Sequence, residues 1–147
     1  PETVAKLSEI DNIVAVKEAS GNVKSTIEIL KLCGDKIDVY SGDDDIIVPM
    51  MSMGAKGVIS VLSNIMPKET HELCKLCLDG NFKEASSLQI KYSGIIKALF
   101  CEVNPIPVKT AMNLMGLGAG VLRLPLFEME EKNLEFLKKE MKELNLI

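Results

Sequence analysis

The apolar positions of this chain change period repeatedly, and each change marks an element. Residues 2–10 place Val4, Ala5 and Leu7 on one side and predict a helix, whereas the β-branched run over residues 13–17 predicts a buried strand. Ser20-Gly21-Asn22 then supplies a turn and an N-cap. Ile27, Ile29, Leu30 and Cys33 mark a helix over residues 23–33, stopped at Gly34-Asp35. A second strand, residues 37–41, runs into Gly42-Asp43-Asp44-Asp45 and a helix through Met53, ended by Gly54. The third strand covers residues 57–62 and closes at Ser63-Asn64. These strands are short, read as apolar on both faces, and are each followed by a helix, the pattern of parallel strands covered by helices.

After residue 64 the strand signal stops. Pro67 suits the first turn of a helix running to Leu78, and Asp79-Gly80-Asn81 breaks it. Helical spacing returns over residues 82–100, after the Asn104-Pro105-Ile106-Pro107 elbow, and over residues 128–144, where Leu134, Leu137, Met141 and Leu144 share a stripe. The expected organisation is therefore a β/α part over residues 1–80 and a helical domain over residues 81–147. Three parallel strands leave apolar edges unpaired. If they belong to a β/α barrel, the whole needs about 250 residues. The remainder is then expected before Pro1, and a first residue other than Met agrees with that.

Composition narrows the class. With 147 residues, 47% hydrophobic and 26% charged, the chain fits a globular domain with a sizeable core, not a disordered or fibrous one. A net charge of −4, no Trp and only six Phe and Tyr give nucleic acid neither a basic footprint nor a stacking platform. No apolar run is long enough to cross a membrane and no secretory leader pattern is visible, so a cytoplasmic protein acting on a small metabolite is expected. Four cysteines, Cys33, Cys74, Cys77 and Cys101, agree with a reducing compartment. Cys74-Lys75-Leu76-Cys77 has metal-like spacing but no second pair and only His71 nearby, short of the four ligands zinc needs. Core packing of the cysteines and a helix-surface place for His71 are the expectation.

The candidate chemistry starts at Lys17, alone at the end of the first strand. In β/α barrels the reactive groups sit at the carboxyl ends of strands, and Lys17, Gly42-Asp43 and residues 60–64 all fall there. An amine surrounded by apolar groups would be partly desolvated, which favours the neutral form that attacks a ketone. A strand-end lysine with its head in water is the other reading of this segment. Asp43, Asp44 and Asp45 could attract a hard cation, but successive carboxylates at a helix start point in different directions, and capping of the helix is favoured. Gly54-Ala55-Lys56-Gly57 is too short for a phosphate loop and reads as a helix stop.

The segments Val16-Lys17-Glu18-Ala19-Ser20-Gly21-Asn22, Ser41-Gly42-Asp43-Asp44, Gly57-Val58-Ile59-Ser60-Val61, Asn104-Pro105-Ile106-Pro107-Val108-Lys109 and Leu122-Arg123-Leu124-Pro125 occur in an order that resembles the dihydrodipicolinate synthase family. The resemblance covers the whole chain and matches the carboxyl-terminal half of that enzyme. It implies the carboxyl-terminal part of a (β/α)8 TIM barrel followed by a small helical domain. It also implies that Lys17 forms a Schiff base with pyruvate, and that the resulting enamine attacks aspartate semialdehyde in lysine (diaminopimelate) biosynthesis. The backbone of Ile59 is implied to lie against pyruvate, and Gly42 to leave room beside it, as a residue without Cβ permits. No metal or organic cofactor is implied, because the protonated imine is the electron sink. A homotetramer built as a dimer of dimers is implied as well, and the helix faces near Val23 and Met53 are assigned to its weaker contact. The proton-relay and carboxylate-binding residues of the family, and its lysine-feedback site, are expected in the missing amino-terminal half. The chain alone is therefore expected to be very poorly active. A keto-sugar-acid aldolase of the same superfamily, which would keep Lys17, and a noncatalytic scaffold or oligomerisation module remain as alternatives.

Overall fold

A computed structural model describes all residues, Pro1–Ile147. Its elements are α1 (Glu2–Leu7), β1 (Ala15–Glu18), α2 (Val23–Cys33), β2 (Asp38–Ser41), α3 (Ile47–Ser52), β3 (Gly57–Val58), α4 (Pro67–Leu78), α5 (Phe82–Leu99), α6 (Ile106–Leu114) and α7 (Glu131–Glu143). Short 3-10 turns occupy Gly34–Lys36, Asp44–Ile46 and Leu62–Asn64.

The strands form one parallel sheet in the order β1-β2-β3, with Lys17 opposite Tyr40, Glu18 opposite Ser41 and Tyr40 opposite Gly57. The ladder continues past the strand ends. The Gly42 amide donates to the Glu18 carbonyl (2.7 Å), and the Ile59 amide donates to the Ser41 carbonyl (2.8 Å). These bonds fix the backbone at Gly42 beside the end of β1 and at Ile59 beside the end of β2.

Strand alternation separates two unlike faces. Val16, Glu18, Val39 and Ser41 turn to the helix side, where Glu18, Val39 and Ser41 are buried against a core that includes Ile29 of α2 and Ile47 and Met50 of α3. Ala15, Lys17 and Asp38 turn to the other side and are exposed, with Tyr40 half-buried among them. The expectation of strands apolar and covered on both faces is corrected here. A polar Lys-Glu-Tyr-Ser set is distributed over the two faces by the two-residue period, and only one face carries helices.

Two compact units are distinguished, the first comprising residues 1–60 and 71–89, the second residues 61–70 and 90–147. The core of the first also includes Ala55, Leu73 and Cys77. That of the second is built from Leu62, Tyr92, Ile95, Ile96, Leu99, Ala111, Leu137 and Met141, and α6 packs on α7 within it. No helix is long and apolar enough to cross a membrane.

Several boundaries differ from the sequence reading, each for a local reason. The first helix ends at Leu7, where the Ser8 hydroxyl bonds back to the Ala5 carbonyl, and of its predicted apolar side Val4 and Ala5 are half-buried while Leu7 stays 44% exposed. The third strand pairs only over Gly57–Val58, because the chain turns into the Leu62–Asn64 helical turn. The helix expected after Gly42 is split into the Asp44–Ile46 turn and α3. The last helix starts at Glu131 in place of residue 128.

Candidate active site

Lys17 sits on the open face of β1, one residue before the strand's carboxyl end, and is exposed. The apolar surroundings expected for its amine are not supplied by these residues. On its own face it has Ala15 two positions back and Tyr40 across the ladder. The order in this neighbourhood comes from behind and from the side.

Behind it, the Glu18 carboxylate is only 7% exposed. One oxygen accepts from the Ser20 amide (3.2 Å) and the other from the hydroxyl of Thr26, itself fully buried (3.3 Å). The turn is completed by the Asn22 amide donating to Ser20 Oγ (3.1 Å). Asn22 Oδ1 in turn caps α2 by accepting from the Lys24 and Ser25 amides (3.0 and 3.4 Å). Gly21, at φ +68°, supplies the left-handed residue the turn requires. The Glu-Ala-Ser-Gly-Asn motif is thus a set of mutually satisfied polar groups that pins the loop directly after the lysine. The sequence reading assigned Glu18 no role beyond motif membership. The signal available was a carboxylate on the covered face of a strand with a hydroxyl in the first turn of the next helix.

Beside the lysine, the space that a Cβ on Gly42 would fill is taken by the Lys17 stem and the Ala19 methyl. Ile59, the residue after β3, carries its side chain 51% exposed while its amide completes the ladder to Ser41. Lys17, Gly42 and Ile59 therefore stand at the same end of three neighbouring strands. Asp43 Oδ1 accepts from the Asp45 amide (3.0 Å), so Asp43 caps the 3-10 turn as expected. Burial, then the neighbouring Asp43 and Asp44 charges, raise the Asp45 carboxyl above its ordinary range. No group of three or more His, Cys, Asp or Glu side chains is arranged to hold a metal ion.

Cys33 and Cys77 are buried, Cys74 and Cys101 half-buried, and all four thiols are free. His71 lies exposed on α4, the surface position anticipated for it. Burial first, then Cys77 and Asp44, push the Cys74 thiol from 9.0 to about 11. Its thiolate at pH 8 should be about a hundredfold scarcer than in the unfolded chain, so iodoacetamide should label Cys74 correspondingly slowly in the folded protein. Between pH 9.0 and about 11 the unfolded chain loses this proton first, so this group takes stability away as pH rises through that window and has no effect below it. Peptide mapping of timed alkylation, with and without urea, measures the contrast.

In the second unit two of the motif segments meet. Lys109 Nζ donates to the Val121 carbonyl (2.6 Å) and Asn113 Nδ2 to the Gly120 carbonyl (3.0 Å), tying the stretch before Leu122-Arg123-Leu124-Pro125 to α6.

Parallel strands each followed by a helix, with a lysine amine at the carboxyl end of the first, are the arrangement of part of a β/α barrel. This fold is the carboxyl-terminal part of a (β/α)8 barrel with a small helical domain after it. The chain belongs to the dihydrodipicolinate synthetase family, whose profile matches residues 1–144. It is 58% identical over 139 residues to the 4-hydroxy-tetrahydrodipicolinate synthase of Caldicellulosiruptor saccharolyticus, covering 95% of this chain and 47% of that protein. It is 53% identical over 147 residues to that of Acetivibrio thermocellus, covering 100% of this chain and 50% of the relative. The crystal structure of dihydrodipicolinate synthase from Aquifex aeolicus superimposes with a TM-score of 0.95 at 44% identity, over 99% of this chain and 50% of that one. The chain spans about half the length of the curated relatives it matches.

Proposed function

We propose that the full-length protein condenses pyruvate with aspartate semialdehyde through a Schiff base on Lys17. The observation that carries this reading is the placement of one amine at the carboxyl end of β1, on the open sheet face, with Gly42 beside it at the end of β2 and Ile59 one strand further on at the end of β3. The names of the relatives, 4-hydroxy-tetrahydrodipicolinate synthase, support the substrate pair.

The amine attacks the pyruvate ketone carbon and water leaves, giving an iminium that withdraws electrons from the adjacent methyl. Loss of a methyl proton gives the enamine, whose carbon bonds to the aldehyde carbon of the second substrate. The new chain then cyclises through its own amine and Lys17 is released. The iminium itself is the electron sink, so no cofactor takes part in these steps. In this reading the Ile59 backbone lies against pyruvate and Gly42 keeps a side chain out of the same space. The amino-terminal half supplies the proton relay and the carboxylate grip. Residues 1–80 act as the barrel portion, residues 81–147 as the helical domain, and the assembly is a cytoplasmic homotetramer.

Borohydride reduction of the full-length protein in the presence of pyruvate tests the central step. The mass of a reduced pyruvyl adduct is expected on the peptide carrying Lys17. An adduct on another residue, or none, would sink the assignment. A keto-sugar acid cleaved in preference to the semialdehyde condensation would move the protein to a different branch of aldolases.

A further inference from the structure

We propose that Gly42 and Ala19 form a slot that positions the Lys17 amine, so that Gly42 acts on the reaction through the lysine. This rests on the Schiff-base reading above and assigns to Gly42 a role separate from making room for substrate. A methyl on Gly42 would lie 2.6 Å from Ala19 Cβ, 2.7 Å from Lys17 Cε and 2.9 Å from Lys17 Cγ. Non-bonded carbons meet at about 3.5–4.0 Å. Gly42 is absent from the glycines with positive φ, so glycine stands here for space and not for backbone conformation. An alanine could adopt this backbone. What it lacks is room.

Neither wall of the slot gives way easily. The Gly42 amide is bonded to the Glu18 carbonyl at 2.7 Å. The following residue is held on both sides by the buried Ser41 hydroxyl, which donates to the Asp43 carbonyl (2.8 Å) and accepts from the Asp43 amide (3.3 Å). Ala19 lies between Glu18 and Ser20, which the buried carboxylate clamps to each other and to Thr26. The movable part is the lysine stem. Among these residues Lys17 is exposed, and Cγ and Cε of its stem are the atoms that border the space beside Gly42. An added methyl would expel both atoms and swing the amine away from the strand end. A displacement of about 1 Å at a reacting group can cost on the order of 10²-fold in rate.

The test uses the full-length protein, its Gly42→Ala variant and its Ala19→Gly variant, comparing thermal midpoints with the rate of borohydride trapping on Lys17 at saturating pyruvate. Gly42→Ala is expected to melt below the parent, because its methyl also meets Ala19 Cβ at 2.6 Å, while its folded molecules trap at least ~10-fold more slowly. Ala19→Gly, which widens the slot without a clash, is expected to slow trapping by a few-fold at an unchanged midpoint. A structural role alone would move the midpoint and leave trapping per folded molecule untouched. Trapping by folded Gly42→Ala at the parent rate overturns the proposal. If Gly42→Ala does not fold, Ala19→Gly decides, and the parent rate there overturns it equally. A parent protein that traps no pyruvate on Lys17 removes the Schiff-base reading, and with it this one, a result distinct from a parent that traps and variants that trap as well as it does.

Discussion

Lys17→Ala in the full-length protein is expected to abolish borohydride-dependent incorporation of pyruvate and to lower turnover by on the order of 10³- to 10⁶-fold, the range for loss of a catalytic nucleophile. The fold makes this a clean experiment. Truncating Lys17 leaves its backbone groups in the β1–β2 ladder. The melting midpoint, measured beside the rate, separates a loss of chemistry from a loss of fold. Lys17→Arg supplies the second arm. It keeps the positive charge and much of the aliphatic stem but provides no nucleophilic amine, because guanidinium stays protonated. It should be as inactive as alanine. An arginine variant with substantial turnover would mean that the residue contributes charge and not a covalent bond, and the aldolase chemistry would have to be placed elsewhere. A scaffold protein would show neither trapping nor any loss on substitution.

The elements around this lysine were legible because periodicity, caps and stops agree there. Asn22 caps α2 as its position before an amphipathic run requires, and Gly34 and Gly54 end their helices where the apolar spacing ends. Less legible was anything that depends on a partner distant in sequence. The two-faced character of the sheet follows from register, since Lys17 opposite Tyr40 and Glu18 opposite Ser41 sort the side chains only once the strands are paired. Likewise the apolar run after Gly57 has strand composition over six residues, yet it forms ladder pairs over only two before a helical turn takes the chain away. The candidate site was partly readable. Lys17 could be singled out as a lone amine at a strand end, and the segments resembling the synthase family pointed to Gly42 and Ile59, which the structure places at the ends of the next two strands. The slot could not be read, because the contact of a missing Cβ with a stem 25 positions away exists only in three dimensions. Glu18 escaped for the same reason: a carboxylate in a strand looks solvent-facing until Thr26 is brought behind it.

The 147-residue chain studied on its own should turn over both substrates at a rate on the order of 10³-fold or more below the full-length protein, and should fold stably only on association. Its sheet has three short strands with both outer edges unpaired, and such edges offer free amide and carbonyl groups to any strand that approaches. The open side compounds this. Ile59 is 51% exposed on this side at the end of β3, and Tyr40 of β2 lies half-buried. Helices cover the opposite face, so neither of these edges nor this face is shielded by the residues present. Self-association through the edges would satisfy the backbone but would not bring a proton relay to Lys17, so it should restore stability without restoring rate. Sedimentation velocity across a hundredfold range of concentration, paired with thermal melts at each, separates the outcomes. The midpoint is expected to rise with concentration, as mass action requires for a fold stabilised by assembly. Adding the separately expressed amino-terminal half should suppress the self-associated species and bring back activity together. A monomer with a sharp, concentration-independent melt would show that three strands and their helices suffice, and near-normal turnover by that monomer would place the whole catalytic apparatus within these residues.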